Sequence, residues 1–295
     1  MKPWCIPAFA KINLGLRIVG KRSDGYHELE TFFLQIDLAD RLFFEATTRN
    51  SLELTCNNPD IPVDASNLCA RAYQLICAKT ERQLGVRLHL EKNIPFGAGL
   101  GGGSSDAAVT LIALNRLFDL NLTIDNLYQL ATQLGSDVPF FLTGGLCRGR
   151  GRGEILEPVA DLPDFWILLV APSVVVPTAW AYQNYNKLAL TKTQKCRKLP
   201  SLNIRQLTDH ELVEICQNDL EAAVFEKYEE LAVIKAQLQR SGAVASSMTG
   251  SGSAMFGLFR TQQEAQGRKQ LFECCNTFVT RPIRWGIPQV YQMQY

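Results

Sequence analysis

Residues 95 to 108 read PFGAGLGGGSSDAA, and five glycines fall among the seven residues from Gly97 to Gly103. Without a Cβ, Gly97, Gly99, Gly101, Gly102 and Gly103 can take positive φ and aim successive backbone N–H groups at an anion. Ser104 and Ser105 add hydroxyls at the end of the run. The stretch that follows, AAVTLIALNRLF, repeats Leu111, Leu114 and Phe118 at helical spacing with Ile112 beside them, so the loop feeds a helix N-terminus. Orphan N–H groups and the positive end of the helix dipole make such a junction a phosphate site, here for the di- or triphosphate of a nucleotide. The candidate contacts are Pro95, Phe96, Gly97, Ala98, Gly99, Leu100, Gly101, Gly102, Gly103, Ser104 and Ser105. Two familiar templates do not fit. The loop lacks the Gly-Lys-Ser/Thr ending of a P-loop, and no acidic residue about 20 positions on closes a second strand as a dinucleotide fold requires.

Other residues of chemical interest are spread along the chain. Lys11 and Asn13 point the same way from an alternating segment whose opposite face is Ile12, Leu14, Leu16 and Ile18. By itself that polar face is as well explained by solvent as by a ligand. Asp24-Gly25 marks a tight turn between two strands, followed by Tyr26 and His27. Ser66 and Asn67 read as a helix cap, and Asp137, in Ser136-Asp137-Val138-Pro139, stands where a cap is the ordinary reading. Arg148 to Glu154, RGRGRGE, could be a solvated loop, a phosphate contact or a nucleic-acid tract; without interleaved aromatics the last is the weakest. A short glycine turn, Thr249 to Ser253, joins two apolar strands.

The elements that must position these residues alternate in type. Strands are expected at 11–18, 32–38, 41–46, 52–55 and 86–91, with a helix over 67–84 ahead of the last. After the glycine loop and its helix, Thr123 caps another helix that Gly135 ends. Phe165 to Val170 is an apolar run that opens a second domain, and VVVPTAWAY leads out of it into a loop. Lys187, Lys192, Lys195, Arg197 and Lys198 then follow without an acidic residue, the mark of a solvated segment. Helices are expected near 208–216, 219–226, 229–240 and 261–272, and strands at 244–248, 254–259 and 277–281. The partition is into residues 1–160 and 161–295.

Thirty basic against 29 acidic residues leave no global field for nucleic acid or an anionic membrane. No run approaches the roughly 18 uncharged apolar residues of a spanning helix, and the start lacks a secretory signal's apolar core, which points to a cytoplasmic protein. Nine scattered cysteines without a CxxC suit a reducing compartment, and three histidines are too few for an ordinary zinc site.

Taken together, AKINLGL, GLGGGSSDAA, GSDVPFFL and TGSGSAMFGLF resemble, in order, the motifs of the small-molecule kinase superfamily of galactokinase, homoserine kinase, mevalonate kinase and phosphomevalonate kinase. DGYHEL and GLGGGSSDAA resemble one branch, the kinases of the diphosphocytidyl alcohol of the non-mevalonate isoprenoid pathway. The resemblance spans roughly residues 8 to 260 and implies an α+β, two-domain fold: a first domain like ribosomal protein S5 domain 2, a ferredoxin-like second, and the active site in the cleft between them. It implies ATP and Mg2+ as cofactors, Asp137 as base with Lys11 orienting it, Asn67 near the adenine, and Ser105 as a magnesium ligand. For the substrate it implies Asn13, Gly250, Gly252 and Thr178, with the cytosine held between Tyr26 and Tyr182 and hydrogen-bonded by His27. The RGRGRGE stretch becomes a turn between domains. No nucleic-acid or membrane partner is expected, and the chain should be a monomer or weak homodimer. DGYHEL argues against the alcohols of the relatives, and the presence of both Lys11 and Asp137 argues against a sensor that only binds nucleotide.

Overall fold

The computed structural model describes residues 3–159, 163–191, 199, 207–286 and 289–290. Ile6, Ala8, Ala10, Ile12, Leu14, Leu16 and Ile18 are all buried, and this alternation lays β1 (Trp4–Lys21) on β2 (His27–Ala46) as one long antiparallel hairpin. The two strands expected at 32–38 and 41–46 are thus parts of a single strand. The far edge of β2 is shared: Leu29–Leu34 pair with β5 (Leu146–Gly151) and Arg41–Ala46 with β4 (Val86–Glu91). Beyond β4 lies β3 (Leu52–Cys56), parallel to it, and beyond β5 lies β6 (Ile155–Val159), antiparallel.

Between its two partners β2 leaves a gap, and the end of the chain returns to fill it. The N–H of Asp37 donates to Arg281 O and that of Ile283 to Gln35 O, both at 3.0 Å, while Gln35 Oε1 accepts from Gly145 N–H at 3.1 Å and Trp285 N–H at 2.7 Å. Residues 281–286 therefore pack on the first sheet, although a cut near 160 would assign them to the second unit. One face of the sheet carries α1 (Leu68–Thr80), α2 (Gly102–Leu117), α3 (Ile124–Leu134) and α4 (Val138–Thr143), with α2 buried through Ser105–Asn115 at the centre.

The second sheet is antiparallel throughout, in the order β10 (Asn276–Thr280), β7 (Trp166–Ala171), β9 (Met255–Phe259), β8 (Ala245–Met248). With α5 (Thr178–Thr191), α6 (Asp209–Ile215), α7 (Glu221–Lys227) and α8 (Glu229–Arg240) before β8, and α9 (Gln262–Gly267) before β10, it is a β-α-β-β-α-β unit of ferredoxin-like type. Two expectations are corrected. PTAWAY opens α5 and not a loop, so exposed Lys187 lies on a helix; Lys192, Lys195, Arg197 and Lys198 fall outside the described residues. RGRGRGE is no turn between domains: Arg148–Gly151 belong to β5, and only residues 152–154 turn, into β6.

Where β2 changes partner, a buried ionic group anchors the glycine loop from below. Lys92, 7% exposed, donates to both Asp40 and Asp106, which are 0% and 4% exposed. Asp40 Oδ1 also accepts the N–H groups of Asn93 at 2.6 Å and Ile94 at 2.8 Å. Oδ1 of Asp106 has no partner, and burial, aided by the charge of Asp40 and opposed by Lys92, pushes its carboxyl up to about 7. Removing the cation should therefore hurt most. Lys92→Met is expected to cost about 3–5 kcal/mol in denaturant unfolding by stranding two carboxylates, and Asp106→Asn far less; equal losses would contradict this ordering.

Candidate functional site

Lys11 and Asn13 emerge from β1 between irregularities in its register with β2, at Phe9/Lys11 and Asn13/Leu16. Such bulges re-aim side chains. The Lys11 N–H leaves the ladder and donates to Leu100 O of the glycine loop at 3.0 Å, and the Asn13 N–H donates to Thr249 Oγ1 at 2.9 Å. Both side chains are buried, at 4% and 3% exposure, so the solvated-face explanation fails. Lys11 Nζ donates to Asn13 Oδ1 at 2.6 Å, lies 3.3 Å from Asp137 Oδ2, and sits over the Phe33 ring at 5.3 Å. Asn13 Nδ2 donates to Thr31 Oγ1 at 2.7 Å, which in turn donates to Gly15 O at 2.6 Å. Asp137 is at the N-cap position of α4 but makes no capping bond; its carboxylate is turned on Lys11 instead.

The glycine loop and the Thr249–Ser253 turn touch backbone to backbone. A Cβ on Gly99 would lie 2.5 Å from Thr249 O and 3.1 Å from Gly252 O, and the Ala254 N–H donates to Ala98 O at 3.1 Å. Gly101, at φ +72°, ends the loop: a Cβ there would strike the Phe141 ring at 2.8 Å and the Lys11 stem at 3.1 Å. Asn218 clamps the turn from the other side, donating to Met248 O at 2.8 Å and Gly250 O at 2.7 Å.

These groups line a cleft of about 890 Å³ between the two sheets' units. Of the residues singled out in the sequence, Lys11, Asn13, Asp137, Gly99, Gly101, Ser104, Gly250, Thr178, Tyr26, His27 and Tyr182 border it. Pro95, Phe96 and Ala98 instead border a second cavity of about 360 Å³, so the loop is a wall between the two; Phe96 is 65% exposed. Gly97, Leu100, Gly102 and Gly103 line neither cavity, and three further expected contacts, Ser105, Gly252 and Asn67, are also outside the lining of the cleft. Ser105 is 1% exposed and outside the lining, whereas its neighbour Ser104 lines the cleft. Gly252 lies against Met248 Sδ, and its neighbour Ser251 lines the cleft, bonded to Thr178 Oγ1 at 2.8 Å. Asn67 is spent as the cap of α1, accepting from Cys69 N–H at 2.8 Å and donating to Pro62 O at 2.6 Å.

The far end of the cleft is aromatic. Tyr26, 57% exposed at the hairpin turn, has the Arg152 guanidinium over its ring at 5.0 Å. His27 stacks on Tyr182 with centroids 5.2 Å apart at 24°. Burial, with a further push from Asp137, raises the Tyr182 phenol, which therefore stays neutral. Thr31 and Asn186 also line the cleft and carry no local signal beyond being polar, while Arg152 and Ser251 do so from the RGRGRGE stretch and the Thr249–Ser253 turn.

The described residues contain no cluster of three or more His, Cys, Asp or Glu able to cage a metal, and no helix long and apolar enough to cross a membrane. A glycine-rich loop at a helix N-terminus beside buried Lys11 and half-buried Asp137, in a two-domain α+β fold, is the arrangement of a kinase of small molecules. Consistent with this, residues 67–145 match the GHMP kinases N terminal domain and residues 203–275 the GHMP kinases C terminal domain. The chain is 44% identical to the 4-diphosphocytidyl-2-C-methyl-D-erythritol kinase of Chlorobium phaeovibrioides, over 90% of each chain, and 42% identical to that of Chloroherpeton thalassium, over 88% and 90%. A crystal structure of 4-(cytidine 5'-diphospho)-2C-methyl-D-erythritol kinase superposes with a TM-score of 0.79 at 35% identity, covering 96% of this chain and 100% of that one. The chain belongs to the 4-diphosphocytidyl-2-C-methyl-D-erythritol kinase family. Methanococcus jannaschii mevalonate kinase, at 14% identity and a TM-score of 0.71 over 96% and 99% of the chains, shares the fold.

Two glycines separate geometry from folding. Gly101→Ala forces a Cβ into Phe141 and Lys11 at positive φ, whereas at Gly103 a Cβ would meet only Leu68 Cδ1 at 3.7 Å. Gly101→Ala should lose about 1–3 kcal/mol of stability and most turnover, and Gly103→Ala should unfold at or above the wild-type midpoint. Matching melting curves for the two variants would show that the close approach at Gly101 is misjudged.

Proposed function

We propose that the chain transfers the γ-phosphoryl group of ATP to the 2-hydroxyl of 4-diphosphocytidyl-2-C-methyl-D-erythritol. The observation that carries this reading is the Lys11–Asp137 pair, 3.3 Å apart, in a cleft that also holds the glycine loop and an aromatic end. The triphosphate would lie along the loop, bound by backbone N–H groups at the start of α2 with Ser104, and the adenine would face Pro95 and exposed Phe96. The hydroxyl oxygen attacks the γ-phosphorus, the bond to the β,γ-bridging oxygen breaks, and the hydroxyl proton passes to Asp137. Lys11 holds that carboxylate in place and stabilises the negative charge of the transferring group, while Asn13 fixes Lys11.

The donors fit a magnesium ion that arrives on the nucleotide. The Ser104 hydroxyl and Asp137 carboxylate are hard oxygen donors bordering the cleft, and an ion bound mainly by phosphates and water needs no protein cage. Bound there, it would neutralise phosphate charge. At the other end, Tyr26, His27 and Tyr182 supply flat faces and a polar edge for the cytosine, with Thr178, Gly250 and Ser251 along the way.

Asp137→Asn keeps the shape and removes the proton acceptor, so kcat should fall by about 10²-fold or more while the KM for ATP moves little; Lys11→Met should behave similarly. The check is steady-state kinetics with the diphosphocytidyl alcohol offered beside mevalonate and homoserine. Near wild-type turnover in both variants, or equal use of the three alcohols, would refute the assignment.

A further inference from the structure

His27 is held on three sides by α5. Its ring stacks on Tyr182, meets Tyr185 edge-on at 6.2 Å and 86°, and places Nε2 2.7 Å from Oδ1 of Asn186. The two tyrosines fix the plane of the ring, but neither distinguishes its nitrogens. Asn186 does. An amide oxygen has no proton to give, so this short contact requires Nε2 to carry the hydrogen, and a neutral imidazole then has its lone pair on Nδ1. Among the described residues nothing bonds Nδ1, and both His27 and Asn186 border the cleft.

We infer that Asn186 is a positioning residue: it fixes the Nε2–H tautomer of His27, so that Nδ1 faces the ligand as a hydrogen-bond acceptor and selects an amino-bearing pyrimidine over an oxo-bearing one. The inference rests on the reading above that the base occupies this end of the cleft. Cytosine presents an N4 amino donor where uracil presents an O4 acceptor. A lone pair on Nδ1 bonds the first and opposes the second. The other tautomer would donate from Nδ1 and reverse the preference, so the acceptor atom on residue 186, and not the imidazole alone, encodes which base is read. A site whose polar groups are left facing the wrong partner discriminates strongly, because the mismatch costs more than a missing contact.

The tautomer is read directly from the nitrogen-15 NMR shifts of the imidazoles in ligand-free protein at about pH 8.5. Only His27, His89 and His210 contribute, and His27→Gln assigns the signal. The wild type and Asn186→Asp, which keeps an acceptor, should show hydrogen on Nε2; Asn186→Leu should show a mixture. In kinetics at the same pH, the wild type should favour the diphosphocytidyl over the diphosphouridyl alcohol by on the order of a hundredfold. Asn186→Leu should lower that ratio by about tenfold, chiefly through the KM of the cytidine substrate, with kcat and the KM for ATP unchanged; Asn186→Asp should retain it. Hydrogen on Nδ1 in the wild type, or an unaltered ratio in a folded Asn186→Leu, overturns the inference. A wild type that phosphorylates neither alcohol overturns the substrate reading, and the base selection with it, whatever the tautomer.

Discussion

An ammonium group at 4% exposure is tolerated only when its charge is answered, and the answer to Lys11 organises the site. Its partners come from separate parts of the chain: Asn13 two residues along β1, the Phe33 ring from β2, and Asp137 from the start of α4. The Lys11 backbone, meanwhile, binds Leu100, and its stem closes the space beside Gly101. One residue thus ties the sheet, the anion loop and the carboxylate into a fixed triangle. Such fixed charge is what phosphoryl transfer asks of a protein, since the chemistry is mostly positioning and electrostatic stabilisation.

The second constraint is the contact between the glycine loop and the Thr249–Ser253 turn, where no side chain intervenes at Gly99. It joins the two sheets at the wall of the cleft, so groups from the second unit, Gly250 and Ser251 among them, stand at set positions relative to Lys11. The same unit contributes α5, whose aromatic and amide side chains close the far end around His27. One cavity consequently has a charged end and a flat, aromatic end, which matches an extended ligand with a reacting alcohol at one terminus and a base at the other.

Much of this was legible in the sequence. The glycine loop announces itself by composition, and the alternation around Lys11 and Asn13 puts the two side chains on one side. Their burial was not legible, because it depends on Asp137 and Thr249, more than a hundred residues away in the chain. The resemblance makes RGRGRGE a turn between domains, yet Arg148–Gly151 lie in β5, where Gly149 leaves room for the Phe33 ring of the neighbouring strand that a Cβ would approach to 2.7 Å. Ser104 and Ser105 are equivalent on paper; one residue's rotation about α2 sends the first into the cleft and the second into the core. Asn67 caps α1 as its local sequence suggests, its Oδ1 accepting from Cys69 N–H and its Nδ2 donating to Pro62 O.

The central claim is that a single substrate spans the cleft from Asp137 to the Tyr26–His27 end. A crystal structure with the diphosphocytidyl alcohol and a non-hydrolysable ATP analogue tests it most directly. The 2-hydroxyl oxygen should lie within about 3.2 Å of an Asp137 carboxylate oxygen, with the cytosine against Tyr26 and its amino group toward His27 Nδ1. A complex with the alcohol remote from Asp137, or with the base outside the aromatic end, would contradict it.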